Sequence, residues 1–394
     1  MGRMGKTGRI TALVLLAVLL AGLSSCGGTR VVRELDELKL VRVLAVDPGD
    51  DGNIRVSAFA SSISEEEPTV LSGQAKTMGA ALADMQTLSD KYMFLGHVDN
   101  FLLGETAARN GLGNFDDWLT RDISLRLGVR CLLIVGTEAE TVMEKFDRKL
   151  GLEQFLQELE RAIKLMSETN VFTLGEAAAS LSENGAALVA ALEFREDPNV
   201  ISGGSELTLI PTGYGVFTEA GLTDLIDPDE ALGVSILIGE FAESHVEVPD
   251  GQGGVVGLDV NRAGVKYTPQ WSGGELTGLG IECTAEAAVE EMGGSLDLFD
   301  EGVLEELERA LAVELARRMD AAVAREKTLG ADFLGLAHRI DMADPMEFEK
   351  IRGSWTEILP QLKVTVTVKA EVERSFDMTQ PLGSDTAGLG DVLK

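Results

Sequence analysis

Cysteine and histidine are scarce in this 394-residue chain, which contains three of each. No CxxC pair and no Cys/His cluster occurs, and His97, His245 and His338 are far apart in the sequence. A structural zinc site is therefore not expected, and no motif indicates another metal or a cofactor. Cys131 and Cys283 stand alone in strand-like segments. Outside a membrane they could pair, but isolated buried thiols behave as small hydrophobes, which is the favoured interpretation.

Basic residues are outnumbered by acidic ones. The chain has 34 lysines and arginines against 65 aspartates and glutamates, a formal net charge of −31 at pH 7. Such a surface repels phosphate backbones and anionic lipid headgroups alike, so nucleic acid is not an expected partner. The acidic excess by itself indicates solubility, and it picks out no single pair of carboxylates for acid–base catalysis.

Long apolar runs are also lacking, with one exception near the N-terminus. A basic leader, Met1 to Arg9, precedes an apolar segment of 14 residues, Ile10 to Leu23, which is shorter than the ~20 residues of a membrane-spanning helix. The next letters, "LSSC", resemble the bacterial lipoprotein signal, in which the cysteine thiol receives a diacylglyceryl group and becomes the new N-terminus. We therefore predict a signal peptide at 1–25 and lipidation of Cys26. Ordinary secretion with cleavage elsewhere and an uncleaved anchor are the alternatives.

Hydrophobic periodicity divides the rest of the chain into two regions. The first alternates strand and helix patterns, which predicts an α/β domain at 26–202. Charges, proline and paired glycines in "EFREDPNVISGGSE" then interrupt the pattern. Beyond this break, at 203–380, alternating segments predict an antiparallel sheet, and 301–327 predicts a long helix with one apolar face. The tail at 381–394 is expected to be disordered. The predicted fold class is mixed α/β or α+β with several domains.

No pattern of catalytic residues is found. "DGQGGVVG" lacks the following helix and the lysine of a phosphate loop, and "GGSEL" lacks the spacing of a nucleophile elbow. His97 lies beside a strand end and a glycine, where a structural hydrogen bond is favoured over catalysis. Arg121, Asp122 and Arg126 in "LTRDISLRLG" are typical of an ion-pair network at a helix end. The sequence therefore predicts a protein that is not an enzyme.

Several segments, taken in chain order, resemble the C subunits of spore germinant receptors, the Ger(x)C lipoproteins. The resemblance begins at Cys26 and continues through "RELDELKLVRVLAVDPGDDGNIRVS", with its Asp-ended strand and turn. It extends through "FLGHVDNFLLGETAARNGLGNFDDWLTRDISLRLG", "GYGVFTEAGLTDLIDPDEALGVSILIGE", "GADFLGLAHRI" and "LKVTVTVKAEV". No single motif is specific to this family, but the order of the matching segments along the chain is. The matched residues are Gly96, His97, Gly104, Glu105, Ala108, Gly111, Arg121, Asp122, Arg126, Gly215, Phe217, Leu222, Leu225, Glu230, Gly233 and Trp355.

The resemblance implies a non-catalytic subunit of three mixed α/β domains. Such a subunit is tethered to the outer face of the spore inner membrane beside two integral membrane subunits, A and B, in a complex that nutrients trigger. Six of the matched residues are then structural or interface candidates: Gly96, His97, Arg121, Asp122, Arg126 and Trp355.

Two other classes of protein stay open. A solute-binding lipoprotein of a transporter would need two α/β lobes around a cleft, whereas the C-terminal half predicts antiparallel strands and a long helix. A lipid-anchored hydrolase would need a nucleophile or metal motif, which the sequence lacks.

Overall fold

The computed structural model describes residues 33–61, 68–111, 125–146, 152–164, 167–197, 206–292, 298 and 301–373. The predicted signal peptide, Cys26, Arg121, Asp122 and the predicted tail lie outside these ranges. In the described ranges the chain forms two β-sheets and ten α-helices. The mixed, multi-domain fold class predicted from the sequence is confirmed. Among the described helices, none is both long enough and apolar enough to cross a membrane.

The first sheet has nine strands. They are β1 (Leu38–Pro48), β2 (Ile54–Ser61), β3 (Thr69–Ala75), β4 (Tyr92–Phe94), β5 (Asn100–Gly104), β6 (Arg130–Val135), β7 (Ala186–Asp197), β8 (Glu206–Thr218) and β9 (Gly221–Ile226). The strand order is β3-β2-β1-β5-β6-β7-β8-β9, with β4 beside the start of β1. The central pairs from β1 to β7 are parallel and the outer pairs are antiparallel. Strands β8 and β9 follow the predicted boundary in sequence but complete this sheet.

Helices cover both faces of the first sheet. They are α1 (Met78–Thr87), α2 (Glu105–Arg109), α3 (Ala139–Lys145), α4 (Leu152–Ile163) and α5 (Leu174–Asn184). In β1, Leu44 and Val46 pack with α1, whereas Val43 and Ala45 pack with α3 and α4. Successive strand residues point to opposite faces, so the continuous apolar run of β1 reflects a strand that is covered on both sides.

The second sheet lies in the C-terminal half. Its strands are β10 (Ser244–Pro249), β11 (Val255–Ser272), β12 (Glu275–Met292) and β13 (Val364–Glu373), paired in that order. The first two pairs are antiparallel, as predicted, but β12 and β13 are parallel. The long helix lies between these two strands in the chain and returns it to the same end of the sheet, which makes a parallel pair the natural outcome.

Five helices accompany the second sheet. They are α6 (Pro228–Ile238), α7 (Glu301–Leu329), α8 (Leu336–Ala343), α9 (Pro345–Phe348) and α10 (Trp355–Ile358). The predicted apolar face of α7 is confirmed, because the side chains at 307, 311, 315, 319, 322 and 323 are all buried. They share one apolar cluster with Leu188 and Tyr214 of the first sheet. The two sheets therefore meet through a common core rather than through a flexible linker.

Cys131 and Cys283 are both buried and free. Cys131 packs in the core of the first sheet and Cys283 in the core of the second. Burial raises the pKa of the Cys131 thiol to about 12 and that of Cys283 to about 11. Both are inert, apolar core residues, as the sequence favours.

Candidate functional site

Asp47 lies near the end of β1, before Pro48, and fixes the start of α3. Its carboxylate is 1% exposed and accepts hydrogen bonds from the backbone N–H groups of Ala139 and Glu140, each at 2.8 Å. A carboxylate at a helix N-terminus accepts hydrogen bonds from backbone N–H groups that have no acceptor within the helix. A Cβ atom on Gly104 would lie 2.0 Å from Asp47 Oδ1. The Asp-ended strand and Gly104, two features of the family resemblance, are therefore partners in one structural contact.

Gly96 and His97 lie in a short 3-10 helix, Leu95–His97. The His97 ring packs edge-on against Phe94, with ring centroids 5.5 Å apart. A Cβ on Gly96 would lie 2.6 Å from the end of the same Phe94 ring. These two residues thus help to pack an aromatic side chain. The sequence assigns His97 a structural hydrogen bond, and the contact found here is aromatic.

Arg126 is exposed and borders a small apolar cavity of about 40 Å³. Phe101, Cys131 and Phe217 are among the residues that line the cavity. The ion-pair network predicted for Arg126 depends on Arg121 and Asp122, which lie outside the described residues. That network stays a prediction.

Trp355 belongs to a buried polar cluster with Asp332 and Glu326. Its indole Nε1–H donates to Asp332 Oδ2 at 2.8 Å. The same carboxylate accepts from the backbone N–H groups of Leu336, at 2.6 Å, and Ala337, at 2.8 Å. Asp332 therefore acts as the acceptor for the first turn of α8, whose preceding residue, Gly335, offers no side chain for this purpose. Trp355 is bound to the start of that helix.

Glu326 lies next to Asp332 and is completely buried. Its Oε2 accepts the Leu334 N–H at 2.9 Å, and its Oε1 has no hydrogen-bond partner among the described residues. Burial, and then the Asp332 charge, raise the pKa of Glu326 well above its ordinary range. Burial also raises the pKa of Asp332, opposed by its hydrogen-bond donors. Of the two carboxyl groups, Glu326 therefore has the stronger tendency to hold a proton, because three hydrogen-bond donors favour the charged form of Asp332.

Replacing Glu326 with glutamine is expected to change how stability depends on pH. The folded state holds the Glu326 proton more tightly than the unfolded state, so wild-type stability falls as pH rises above the ordinary value of 4.5. Glutamine cannot titrate, so the variant should gain up to ~1.4 kcal/mol per pH unit relative to wild type in that range. Urea unfolding at several pH values between 5 and 9 measures this difference. The control is Glu305→Gln on the exposed face of α7, and parallel pH profiles for the two variants would contradict the prediction.

Close to this cluster, α7 contacts both β9 of the first sheet and α6. Arg325 donates to Asp224 Oδ2 at 2.8 Å and to Glu230 Oε2 at 2.5 Å. Gly233 lies against the α7 backbone, and a Cβ there would be 2.3 Å from the Arg318 carbonyl oxygen. We call the region formed by α6, the C-terminal half of α7 and the segment 331–339 the junction. Glu230 and Gly233, both residues of the family resemblance, thus lie in the junction.

A groove of about 410 Å³ opens on the surface of the junction. One wall is α5 of the first sheet, and the opposite wall is the segment 333–339 together with the end of α6. Polar residues around it include Glu183, Glu240, His338 and Arg339. The Arg339 guanidinium donates to the Ile238 carbonyl at 2.7 Å and lies over the Tyr267 ring. The groove falls within the size range of small-molecule sites.

Both halves of the chain match families of spore germination proteins. A model described as the spore germination protein N-terminal domain matches residues 32–193, and one described as spore germination B3/GerAC like, C-terminal, matches 212–376. The chain belongs to the Ger(x)C family of spore germinant receptor C subunits. The sequence-based identification is confirmed.

Individual relatives of this C subunit span nearly its whole length. Spore germination protein KC of Bacillus subtilis (strain 168) is 22% identical over 409 residues, which cover 95% of this chain and 97% of the relative. The crystal structure of the GerBC protein aligns with a TM-score of 0.54 at 17% identity, covering 84% of this chain and 96% of that one. The structural comparison supports a common fold.

The predicted site residues do not come together in one place. Trp355 contacts the junction through Asp332, Gly96 and His97 pack around Phe94, and Arg126 borders the cavity in the first sheet. Glu326 and Asp332 were not predicted as site residues from the sequence. One signal was available for Glu326, because it follows Ala322 and Val323 at helical spacing and so falls on the apolar face of α7. A charged residue on that face indicates a buried polar contact.

Proposed function

We propose that this protein is a lipid-anchored, non-enzymatic subunit of a nutrient germinant receptor that acts with integral membrane A and B subunits. The observation that carries the proposal is the match of both halves of the chain to spore germination families. The deeply buried carboxylates support a structural role, since Asp47 and Asp332 each accept hydrogen bonds from backbone N–H groups in the first turn of a helix. A strain that lacks this subunit is expected to lose the response to the receptor's nutrient. Unchanged nutrient germination in that strain would contradict the proposal.

The lipid anchor is proposed from the sequence around Cys26. The acidic body offers no electrostatic attraction to anionic lipids, and without Arg3, Lys6 and Arg9 the net charge of −31 becomes −34. Stable attachment must then come from the lipid, and two acyl chains suffice where one is marginal.

The Cys26→Ala variant is expected to leave the precursor uncleaved or to release the protein from membranes, because the acceptor thiol is absent. Membrane fractionation with metabolic labelling by a fatty acid measures both effects. The matched control is Ser25→Ala, which keeps a small residue before the cysteine and should be processed and labelled as wild type. Equal labelling and equal membrane recovery of wild type and Cys26→Ala would rule out lipidation at Cys26.

The alternative proposal, a solute-binding lipoprotein of a transporter, is favoured by one observation, the groove at the junction. A saturable rise in melting temperature with one small solute would support it, since a ligand that binds only the folded state stabilises that state. The Glu240→Gln variant would then weaken the effect, because Glu240 lines the groove. An unchanged melting temperature across amino acids, sugars and nucleosides would count against this alternative.

A further inference from the structure

Three side chains with metal-binding atoms meet on the outer face of the second sheet. His245 lies on β10, Asp259 on β11 and Glu290 on β12. His245 Nδ1 is 2.8 Å from Glu290 Oε2 and 3.5 Å from Asp259 Oδ1. One ligand atom from each residue lies within 4.8 Å of the other two. The three residues are far apart in sequence, so the sheet alone creates this cluster.

Strand pairing explains why these side chains share one face. His245 and Asp259 are directly opposite each other in the antiparallel pair of β10 and β11. On the next strand Gly257 pairs with Glu291 and Leu258 pairs with Val289, which leaves Glu290 as the extra residue of a β-bulge. A bulge redirects the side chain of its extra residue. Glu290 is thereby turned toward His245.

Gly257 provides the space for the His245 ring. A Cβ at this position would lie 2.7 Å from His245 Cε1 and 3.1 Å from Nε2. Gly257 has no positive φ, so backbone geometry does not require glycine here. Its contribution is room for the imidazole beside the two carboxylates.

We propose that His245, Asp259 and Glu290 form a binding site for a divalent transition-metal cation of the Zn²⁺ type. Nitrogen and oxygen ligands bind zinc at ~2.0–2.2 Å. Two such ligand atoms are therefore about 2.8–3.1 Å apart at a right angle and about 3.3–3.6 Å apart at the tetrahedral angle. The 2.8 and 3.5 Å separations found here fall within these ranges. One neutral imidazole and two carboxylates would also balance the charge of a dication.

The donor set selects among cations. Ca²⁺ and Mg²⁺ prefer sites made only of oxygen atoms, whereas imidazole favours Zn²⁺ and its neighbours. The three side chains are between 38% and 55% exposed, which leaves further coordination positions to water. A bound ion would join the edge strand β10 to β11 and β12 and so stabilise the second sheet.

The proposal departs from the sequence analysis, which expects no metal site. That expectation rests on the spacing of histidines and cysteines along the chain, and it does not consider carboxylates that strand pairing brings to one histidine. The metal-site proposal is independent of the receptor role, because failure to bind Zn²⁺ would leave family membership and the proposed function unchanged.

Isothermal titration calorimetry, in which Zn²⁺ is added to the full-length protein in detergent, tests the site. Wild type is expected to bind one Zn²⁺ equivalent that the His245→Ala variant loses, and Glu290→Gln should bind about tenfold more weakly or worse. Zn²⁺ should raise the melting temperature of wild type but not of His245→Ala. His338→Ala, which removes a different exposed histidine, is the control and should behave as wild type. Mg²⁺ should produce no comparable binding.

Three results would overturn the proposal: equal Zn²⁺ stoichiometry and affinity in wild type and His245→Ala, equal loss of binding in His338→Ala, or Mg²⁺ binding as tight as that of Zn²⁺. The first would reduce the cluster to an ion pair between histidine and two carboxylates. Glu290→Gln keeps the shape of an exposed side chain, so it gives a test of the site even if His245→Ala folds poorly.

Discussion

Replacing Asp332 with alanine is expected to lower the free energy of unfolding by about 3–6 kcal/mol. The substitution removes the acceptor of three hydrogen bonds, from the N–H groups of Leu336 and Ala337 and from Trp355 Nε1. Asp332 is 2% exposed, so water cannot readily replace the lost carboxylate. Each buried donor left without a partner costs about 1–3 kcal/mol. Removing the charge next to Glu326 offsets part of this loss.

Chemical unfolding followed by tryptophan fluorescence measures the effect, because Trp355 reports directly on the cluster. Asp332→Asn keeps one acceptor oxygen and should fall between wild type and Asp332→Ala. The control is Asp341→Ala on α8, which removes only a partly exposed ion pair with Arg352 and should cost at most about 1 kcal/mol. If Asp332→Ala and Asp341→Ala lower stability equally, the buried cluster does not hold the junction.

Gly233→Ala is expected to destabilise the protein by about 2–3 kcal/mol, although alanine is the better helix former. The new Cβ would lie 2.3 Å from the Arg318 carbonyl oxygen and 2.5 Å from its carbonyl carbon. These are backbone atoms of α7, so relief requires the two helices to separate. Separation of α6 from α7 would also disturb the contacts of Arg325 with Asp224 and Glu230.

The matched control for this variant is Gly79→Ala in α1. A Cβ on Gly79 meets nothing within 4 Å, so the substitution should stabilise the protein by up to about 1 kcal/mol. Thermal and urea unfolding of both variants give the comparison. Similar stability changes for Gly233→Ala and Gly79→Ala would contradict close packing of the two helices at the junction.

Periodic segments were predictable because their burial follows from their own sequence. The apolar face of α7 repeats at helical spacing, and β11 and β12 alternate as a pair of antiparallel strands does. The parallel pairing of β12 with β13 was not predictable in the same way. It depends on the path that α7 takes across the sheet, which no local pattern encodes.

The polar clusters show the limit of sequence reasoning more clearly. Asp332 reads as an ordinary acidic residue in "GADFLG", and its role follows from the approach of Trp355, 23 positions away along the chain. His245 and Glu290 meet only because β10, β11 and β12 are neighbours and a bulge turns Glu290. Predicting such contacts requires knowledge of the strand register and of how the helices pack. Trp355, in contrast, could be singled out from the family resemblance.

The junction connects these findings to the proposed role of the C subunit. Residues of the family resemblance, Glu230, Gly233 and Trp355, all contribute contacts there. Glu230 and Gly233 hold α6 against α7, and Trp355 is bound to Asp332. These contacts lie beside the apolar core that the two halves share. A body of this kind suits a subunit that presents fixed surfaces to membrane partners.

Purification of the affinity-tagged full-length chain from detergent-solubilised membranes of its native organism tests the central claim most directly. Quantitative mass spectrometry of the recovered material should detect an A subunit and a B subunit of a germinant receptor, enriched with the chain at comparable amounts. A tagged lipoprotein of unrelated function, purified in parallel, should recover neither. Recovery of the chain from the same membranes without either membrane subunit would contradict the account.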